Sequence, residues 1–313
     1  MHKVFVTGAA SWTGGQLVLR LEQRRDVEVI AVDDTQPRIR FRSRFERLSL
    51  ERLAVARLIL EVEPSFVVHL QSVHRTAEEG RTTEGEERIV GALALFGAIE
   101  RLKSVRSVVV KSDTAYYGAS PRNPSVLAET TRPKGTPSRY QRDLTEMERF
   151  VTEMADRHDH IRYTILRFAP LFGPSIANPF SRYLTLPIVP TLLGFDPRIQ
   201  VTHEHDAVAA IEHAIDRDTE GTFNVASDGQ LYLSRVLRLG RRIPQPLPGR
   251  LFDSALGALA RADIVVPSHV KAVLKHGRVV DTRRMRSPFG FEPSYTCRQT
   301  VLDAYGRTGS QAS

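Results

Sequence analysis

Tyr140 lies in the stretch SRYQRDLTEME, Ser138 to Glu148, behind a loop punctuated by Pro and Gly, and four residues on stands Leu144. The stretch reads as the first turns of a helix, where positions four apart share a face. A cation at that spacing would ease the loss of the phenol's proton. With leucine there, a phenol near its free pKa of about 10 stays protonated at neutral pH. Such a group is a poor base, yet it can still donate to a carbonyl oxygen. Upstream, Ser112, Asp113 and Thr114 close an apolar run with two hydroxyls and a carboxylate. Asp113 reads equally as a proton-relay carboxylate and as an inert replacement. His203 and His205 in HEHD could share a metal only if that segment were extended, and no further ligands cluster with them. Asp206 reads as the N-cap of the next helix, so no metal is expected. His74 follows the fourth apolar run, as a solvated loop residue or one that orients a substrate, and Tyr116 reads as packing.

A second constellation begins at the N-terminus. VTGAASWTGG joins an apolar run to a helical pattern. Gly8 permits a tight turn, Gly14 permits close backbone approach, and the helix start offers N–H groups to a pyrophosphate. Asp33 ends the next apolar run, where a carboxylate can accept ribose hydroxyls. A dinucleotide is the expected cofactor. Asp33 favours NAD, because it would repel a 2′-phosphate; Arg38 and Arg40 leave NADP open.

The elements that must position these groups alternate. Runs at Lys3–Gly8, Val27–Asp34, Ser65–Leu70, Ser107–Ser112 and Arg162–Phe168 read as strands, with helical patterns at Gly14–Arg25, Leu50–Pro64 and Glu86–Leu102 between them. This order predicts an α/β fold, a Rossmann-type doubly wound parallel sheet covered on both faces. Past Phe168 six prolines, from Pro170 to Pro197, break the pattern, which predicts a smaller C-terminal substrate-binding lobe. The expected boundaries are 1–170 for the dinucleotide-binding domain and 171–313 for the lobe, with about 200–226 returning to the first domain. The apolar segment Tyr183–Phe195 reads as lobe core or as the lining of a pocket.

At 313 residues and 35.1 kDa the chain can bury a sizeable core. The single Cys297 rules out an internal disulfide. MHKVFVTG already reads as a strand and turn, leaving no room for a signal peptide, and no apolar run reaches membrane-spanning length. A cytoplasmic location is therefore expected. The net charge of +8 is mostly arginine, dense only in PRIRFRSRFER (Pro37–Arg47), without the aromatics of a nucleic-acid module. The expected partner is a small, anionic molecule, with no nucleic acid and no membrane; a homodimer is left open.

The chain resembles the extended short-chain dehydrogenase/reductases, the NAD-dependent epimerase/dehydratase group. It is most similar to an actinobacterial subgroup described as UDP-glucose 4-epimerase-like. The resemblance rests on VTGAASWTGG, VVHLQS, VVVKSDTAYYG, TILRFAPLFGP, THEHDAVAAI, GTFNVASDG and HGRVVDTRRMRSPFGFEP. It implies cofactor contacts at Gly8, Ser11, Trp12, Thr13, Gly14, Asp33, Arg38, Leu70, Gln71, Ser112, Phe168, Ala169 and Leu171, and substrate contacts at His74 and Arg198. It also implies catalysis at Tyr140, with the Ser/Thr of the family falling on Asp113, beside Thr114. Several positions depart from the family pattern. Ser11 replaces a glycine, Ser49 an acid that meets adenine, Gln71 a small residue, Arg88 and Pro170 asparagines, and Leu144 the lysine. Of the proton-transfer groups Tyr140 clearly survives. The reading this favours is an NAD(P)H-dependent ketoreductase acting on a small metabolite, polyketide-like among the options, because reduction needs the fewest missing residues. The alternative is a sugar-nucleotide epimerase or dehydratase with a rebuilt proton relay, in which Arg198, Arg278 and Arg283 could grip a diphosphate. A non-catalytic dinucleotide-binding protein is the third reading.

Overall fold

The computed structural model describes residues 1–49, 53–71, 82–217 and 219–307, with the backbone alone for 82–89 and 262. The first half alternates as expected: β1 (His2–Thr7), α1 (Trp12–Leu21), β2 (Val27–Asp33), β3 (Arg44–Arg47), α2 (Ala54–Val62), β4 (Phe66–His69), α3 (Thr82–Ile99), β5 (Ser107–Asp113), α4 (Arg139–Arg157) and β6 (Arg162–Phe168). With the strand Gly221–Val225 these form a seven-stranded sheet in the order Gly221–Val225, β6, β5, β4, β1, β2, β3. β1 pairs parallel with both β2 and β4, β4 with β5, and β2 with β3. This is a Rossmann-type parallel sheet. The strand order reverses between β1 and β4, the place where open α/β sheets leave a crevice at their carboxyl ends.

Burial explains the unbroken apolar runs. Val4, Phe5 and Val6 of β1 and Val29 to Val32 of β2 are all buried, so neither face of these strands needs polar residues. β3 was not expected. It falls inside the basic run, and its charged, partly exposed residues suit an edge strand, which carries no apolar signature.

The chain divides into two compact units: residues 1–112, 142–167 and 208–223 form the first, and 113–141, 168–207 and 224–313 the second. The second unit has its own core, in which Phe172, Phe180, Tyr183, Val189, Leu237 and Phe252 are buried. The segment Tyr183–Phe195 therefore splits. Tyr183, Leu184 and Val189 belong to that core, whereas Ile188, Leu193 and Phe195 are exposed. Among the described residues no helix is long and apolar enough to cross a membrane.

Candidate active site

In the first unit, the loop after β1 is built by glycine and one hydroxyl. Gly8 has φ +76°, and a Cβ there would stand 2.6 Å from the Gln71 amide nitrogen and 2.7 Å from the Leu70 carbonyl carbon. At Gly14 a Cβ would meet the Gly8 carbonyl oxygen at 2.2 Å. Neither position admits a side chain, so the turn stays tight and β4 closes on it. Ser11, where the family pattern has glycine, caps α1: its hydroxyl donates to the Gly8 carbonyl at 2.7 Å and accepts from the Gly14 amide at 3.1 Å. Thr13 is buried in the first turn beside Trp12. Asp33 is buried at the end of β2, accepting the Ala10 amide at 2.9 Å on one oxygen and the Thr35 amide and hydroxyl, each at 3.0 Å, on the other. Burial pushes its carboxyl up, and the Thr35 and Ala10 amides oppose that shift. Arg38 and Arg40 are exposed. A glycine turn, a helix N-terminus and a carboxylate at the next strand's end fit a dinucleotide's pyrophosphate and ribose.

The second unit holds the proton-transfer candidates. Ser138 caps α4, its hydroxyl accepting the Gln141 amide at 3.1 Å, which places Tyr140 in the first turn. Gln141 donates its side-chain amide to the Tyr116 carbonyl at 3.0 Å and packs against Gly118, tying that turn to the 3₁₀ turn Thr114–Tyr117. Asp113 caps the 3₁₀ turn, accepting the Ala115 amide at 2.5 Å. The Thr114 hydroxyl is buried and has no hydrogen-bond partner. Tyr117 donates to Asn224 at 2.7 Å, and Tyr116 packs edge-on against the Tyr117 ring. Arg278 comes close to one of these groups, its Nη2 lying 3.7 Å from an Asp113 oxygen. Its side chain is 4% exposed, and its Nε and Nη1 have no partner. Burial pulls the Arg278 pKa down, opposed by negative charge at Asp113, then at Tyr140 and Tyr117. The Tyr140 ring stacks, tilted by 34°, on His269 at 4.4 Å.

Back in the first unit, Leu144 is buried, and one turn further along α4 lies a network that the sequence reading missed. One Glu148 oxygen accepts from Arg167 Nε at 2.9 Å and Nη2 at 2.5 Å, and the other accepts from Nε at 3.1 Å and from the Ser112 hydroxyl. All three side chains are buried. An arginine inside the apolar run RYTILRF was the available signal, because a buried charge must find a partner. Ser112 is thus engaged in holding Glu148. His69 is buried in β4, bonded through Nδ1 to the Thr7 hydroxyl at 2.8 Å, and burial lowers its pKa to about 4.

The remaining candidates fall as follows. Phe168 and Ala169 are buried, with the Ala169 amide bonded to the Val225 carbonyl, and the Leu171 carbonyl accepts the Asn178 side chain. Arg198 donates to the Ser125 carbonyl at 2.7 Å. Arg283 is exposed and paired with Asp281, apart from the buried Arg278. His203 and His205 lie 5.4 Å apart by ring centroid, with His203 bonded to Asp303. Among the described residues no group of three potential metal ligands forms. Asp206 is not an N-cap: the helix begins at Glu204, and Asp206 accepts the Ser294 and Tyr295 amides instead. His74 lies outside the described residues, and Arg88 is described only as backbone within α3.

A Rossmann-type sheet with this glycine turn and buried carboxylate suits a dinucleotide, and comparison places the fold. The model of the NAD dependent epimerase/dehydratase family matches residues 4–226, and the chain belongs to that family. An uncharacterized protein of Mycobacterium tuberculosis (strain ATCC 25618 / H37Rv) is 36% identical over 316 residues, covering 98% of this chain and 84% of its own. Among solved structures, MoeE5 in complex with UDP-glucose and NAD superposes with a TM-score of 0.75 at 21% identity, over 98% of each chain. UDP-glucose 4-epimerase of Thermus thermophilus, in complex with NAD, gives 0.73 at 21% identity, over 99% of this chain and 100% of that one. UDP-glucuronic acid 4-epimerase of Bacillus cereus, with UDP-glucuronic acid and NAD, gives 0.72 at 16% identity and the same coverage.

Proposed function

We propose that this chain is an NAD-dependent enzyme of the epimerase/dehydratase type acting on a nucleotide sugar, with Tyr140 as its proton-transfer group. The observation that carries it is the buried, unpartnered Thr114 hydroxyl in the same unit as Tyr140. A buried hydroxyl without a partner costs free energy that a substrate oxygen can recover. Thr114 then takes the part of the Ser/Thr that the chain lacks at Asp113. It holds the substrate oxygen while Tyr140 removes or returns that oxygen's proton. NAD, when bound, supplies the acceptor for the hydride leaving the same carbon. The first unit holds the dinucleotide through Gly8, Ser11, Gly14 and Asp33, and the second unit supplies the groups for the substrate. Family membership, and nucleotide-sugar epimerases among the fold relatives, support this reading over a ketoreductase.

The buried Leu144 in place of a cation keeps ketone reduction as the second reading, because a protonated phenol suffices there. One experiment separates the two. Purified protein is offered NAD with UDP-glucose, UDP-galactose and UDP-glucuronic acid, followed by NMR of the sugar, and in parallel NADH with aromatic and polyketide-like ketones. Altered nucleotide sugar is the expected result. NADH oxidation by ketones with every nucleotide sugar untouched would transfer the assignment to the second reading. Failure to bind either dinucleotide would overturn both.

A further inference from the structure

We propose that His269 is a positioning residue: its imidazole, stacked on the Tyr140 ring, holds the phenol in one χ1 rotamer for proton transfer. The inference rests on the reading of Tyr140 as the proton-transfer group.

The backbone at Tyr140 is fixed more firmly than its side chain. The Ser138 hydroxyl accepts the Gln141 amide at 3.1 Å, and the Gln141 side chain donates to the Tyr116 carbonyl at 3.0 Å. Both bonds hold the turn, and neither acts on the phenol. Inside a helix the preceding turn excludes one χ1 well. Tyr140 is the second residue of α4, so no helical turn precedes it and that restriction is missing. The torsion matters for chemistry. Rotation about Cβ–Cγ leaves Oη in place, because the oxygen lies on that axis, whereas rotation about Cα–Cβ carries it elsewhere. A reacting group misplaced by about 1 Å can cost about 10²-fold in rate.

His269 supplies a restraint. Its ring covers one face of the phenol, with centroids 4.4 Å apart and planes tilted by 34°. Contact at that distance bars a swing of the phenol toward the imidazole, and attraction between the rings opposes a swing away. The contact is with the ring face, whereas Oη lies at the ring edge. The imidazole itself stands on an anchored element. His269 is the second residue of the helix Ser268–His276, which opens with the Lys271 amide bonded to the Pro267 carbonyl at 2.9 Å. Val270, Val273 and Leu274 of this helix are buried in the core of the second unit. Lys271 and Lys275 both pair with Asp253 of the helix Gly249–Leu259, at 2.8 and 2.9 Å. Tyr140, His269 and Asp253 all belong to that unit. A core more than a hundred residues along the chain thus sets the aim of the phenol.

The test reads the torsion directly. In isotope-labelled protein, three-bond NMR couplings from Tyr140 Cγ to its backbone nitrogen and carbonyl carbon report χ1. We expect one rotamer in wild type, averaged rotamers in His269→Ala, and one rotamer again in His269→Phe, which keeps a ring to stack. Turnover should follow: kcat falls about tenfold or more in His269→Ala with KM little changed, and phenylalanine restores most of it. A merely structural His269 would lower Tm and leave both χ1 and kcat of the folded protein as they were. A fall in kcat in His269→Phe with the rotamer kept would mean that the imidazole nitrogens act, and overturns the proposal. Should His269→Ala fail to fold, the other two proteins decide: averaged rotamers in wild type overturn the proposal, and one rotamer with kcat retained in His269→Phe upholds it. Full turnover in Tyr140→Phe sinks the underlying reading. An inactive Tyr140→Phe with a single Tyr140 rotamer in His269→Ala sinks this inference alone.

Discussion

Glu148 and Arg167 show how much one buried pair can decide. Both are buried, two guanidinium nitrogens bond the carboxylate, and the Ser112 hydroxyl donates to it as well. Removing one partner strands the other's charge in an apolar interior, at a cost of about 3–5 kcal/mol. Glu148→Gln should therefore lower Tm markedly in thermal unfolding. The double variant Glu148→Leu with Arg167→Met should recover part of that loss, because apolar side chains of similar size leave no stranded charge. If the double variant is as unstable as the single one, the pair is more than a structural tie. The sequence made Tyr140 legible through its place at the start of a helix behind a Pro/Gly loop, and the four-residue spacing exposed Leu144. It could not place Arg278 beside Asp113, because those positions meet only through long-range folding. A hydroxyl left unpartnered, as at Thr114, is likewise invisible until burial and neighbours are known.

Among the elements, the β1–α1 turn was the most legible, since glycine at two fixed positions and an acid at the next strand's end have few other uses. The structure gives those glycines a reason in distance: at Gly14 a Cβ has 2.2 Å where contact needs far more. Gly14→Ala should open the turn and weaken NAD binding at least tenfold by calorimetric titration, whereas unchanged affinity would mean that the loop does not carry the dinucleotide. Five of the seven strands were legible as unbroken apolar runs, whereas the Arg-rich, half-exposed β3 has no hydrophobic pattern to read. Helix ends moved by a few residues because caps, not apolar periodicity, fix them. Ser11 sets the start of α1 and Ser138 that of α4.

At the scale of the whole molecule, a Rossmann-type sheet and a second unit with its own core divide the work the proposal assigns, dinucleotide to one and substrate groups to the other. Neither composition nor fold names the substrate. The net charge of +8 favours anionic ligands in general, and a fold shared at 16–21% identity carries many reactions. The resemblance to the family implies replacements near one tyrosine, Asp113 for a hydroxyl and Leu144 for a lysine, and the structure adds a buried Arg278 whose Nη2 lies 3.7 Å from Asp113. The most direct measurement is the rate at which wild type and Tyr140→Phe, each loaded with NAD and shown to be folded, convert a nucleotide sugar. The account predicts a loss of about 10²–10⁴-fold in the variant, the usual worth of general acid–base help. Equal rates in the two proteins would contradict it.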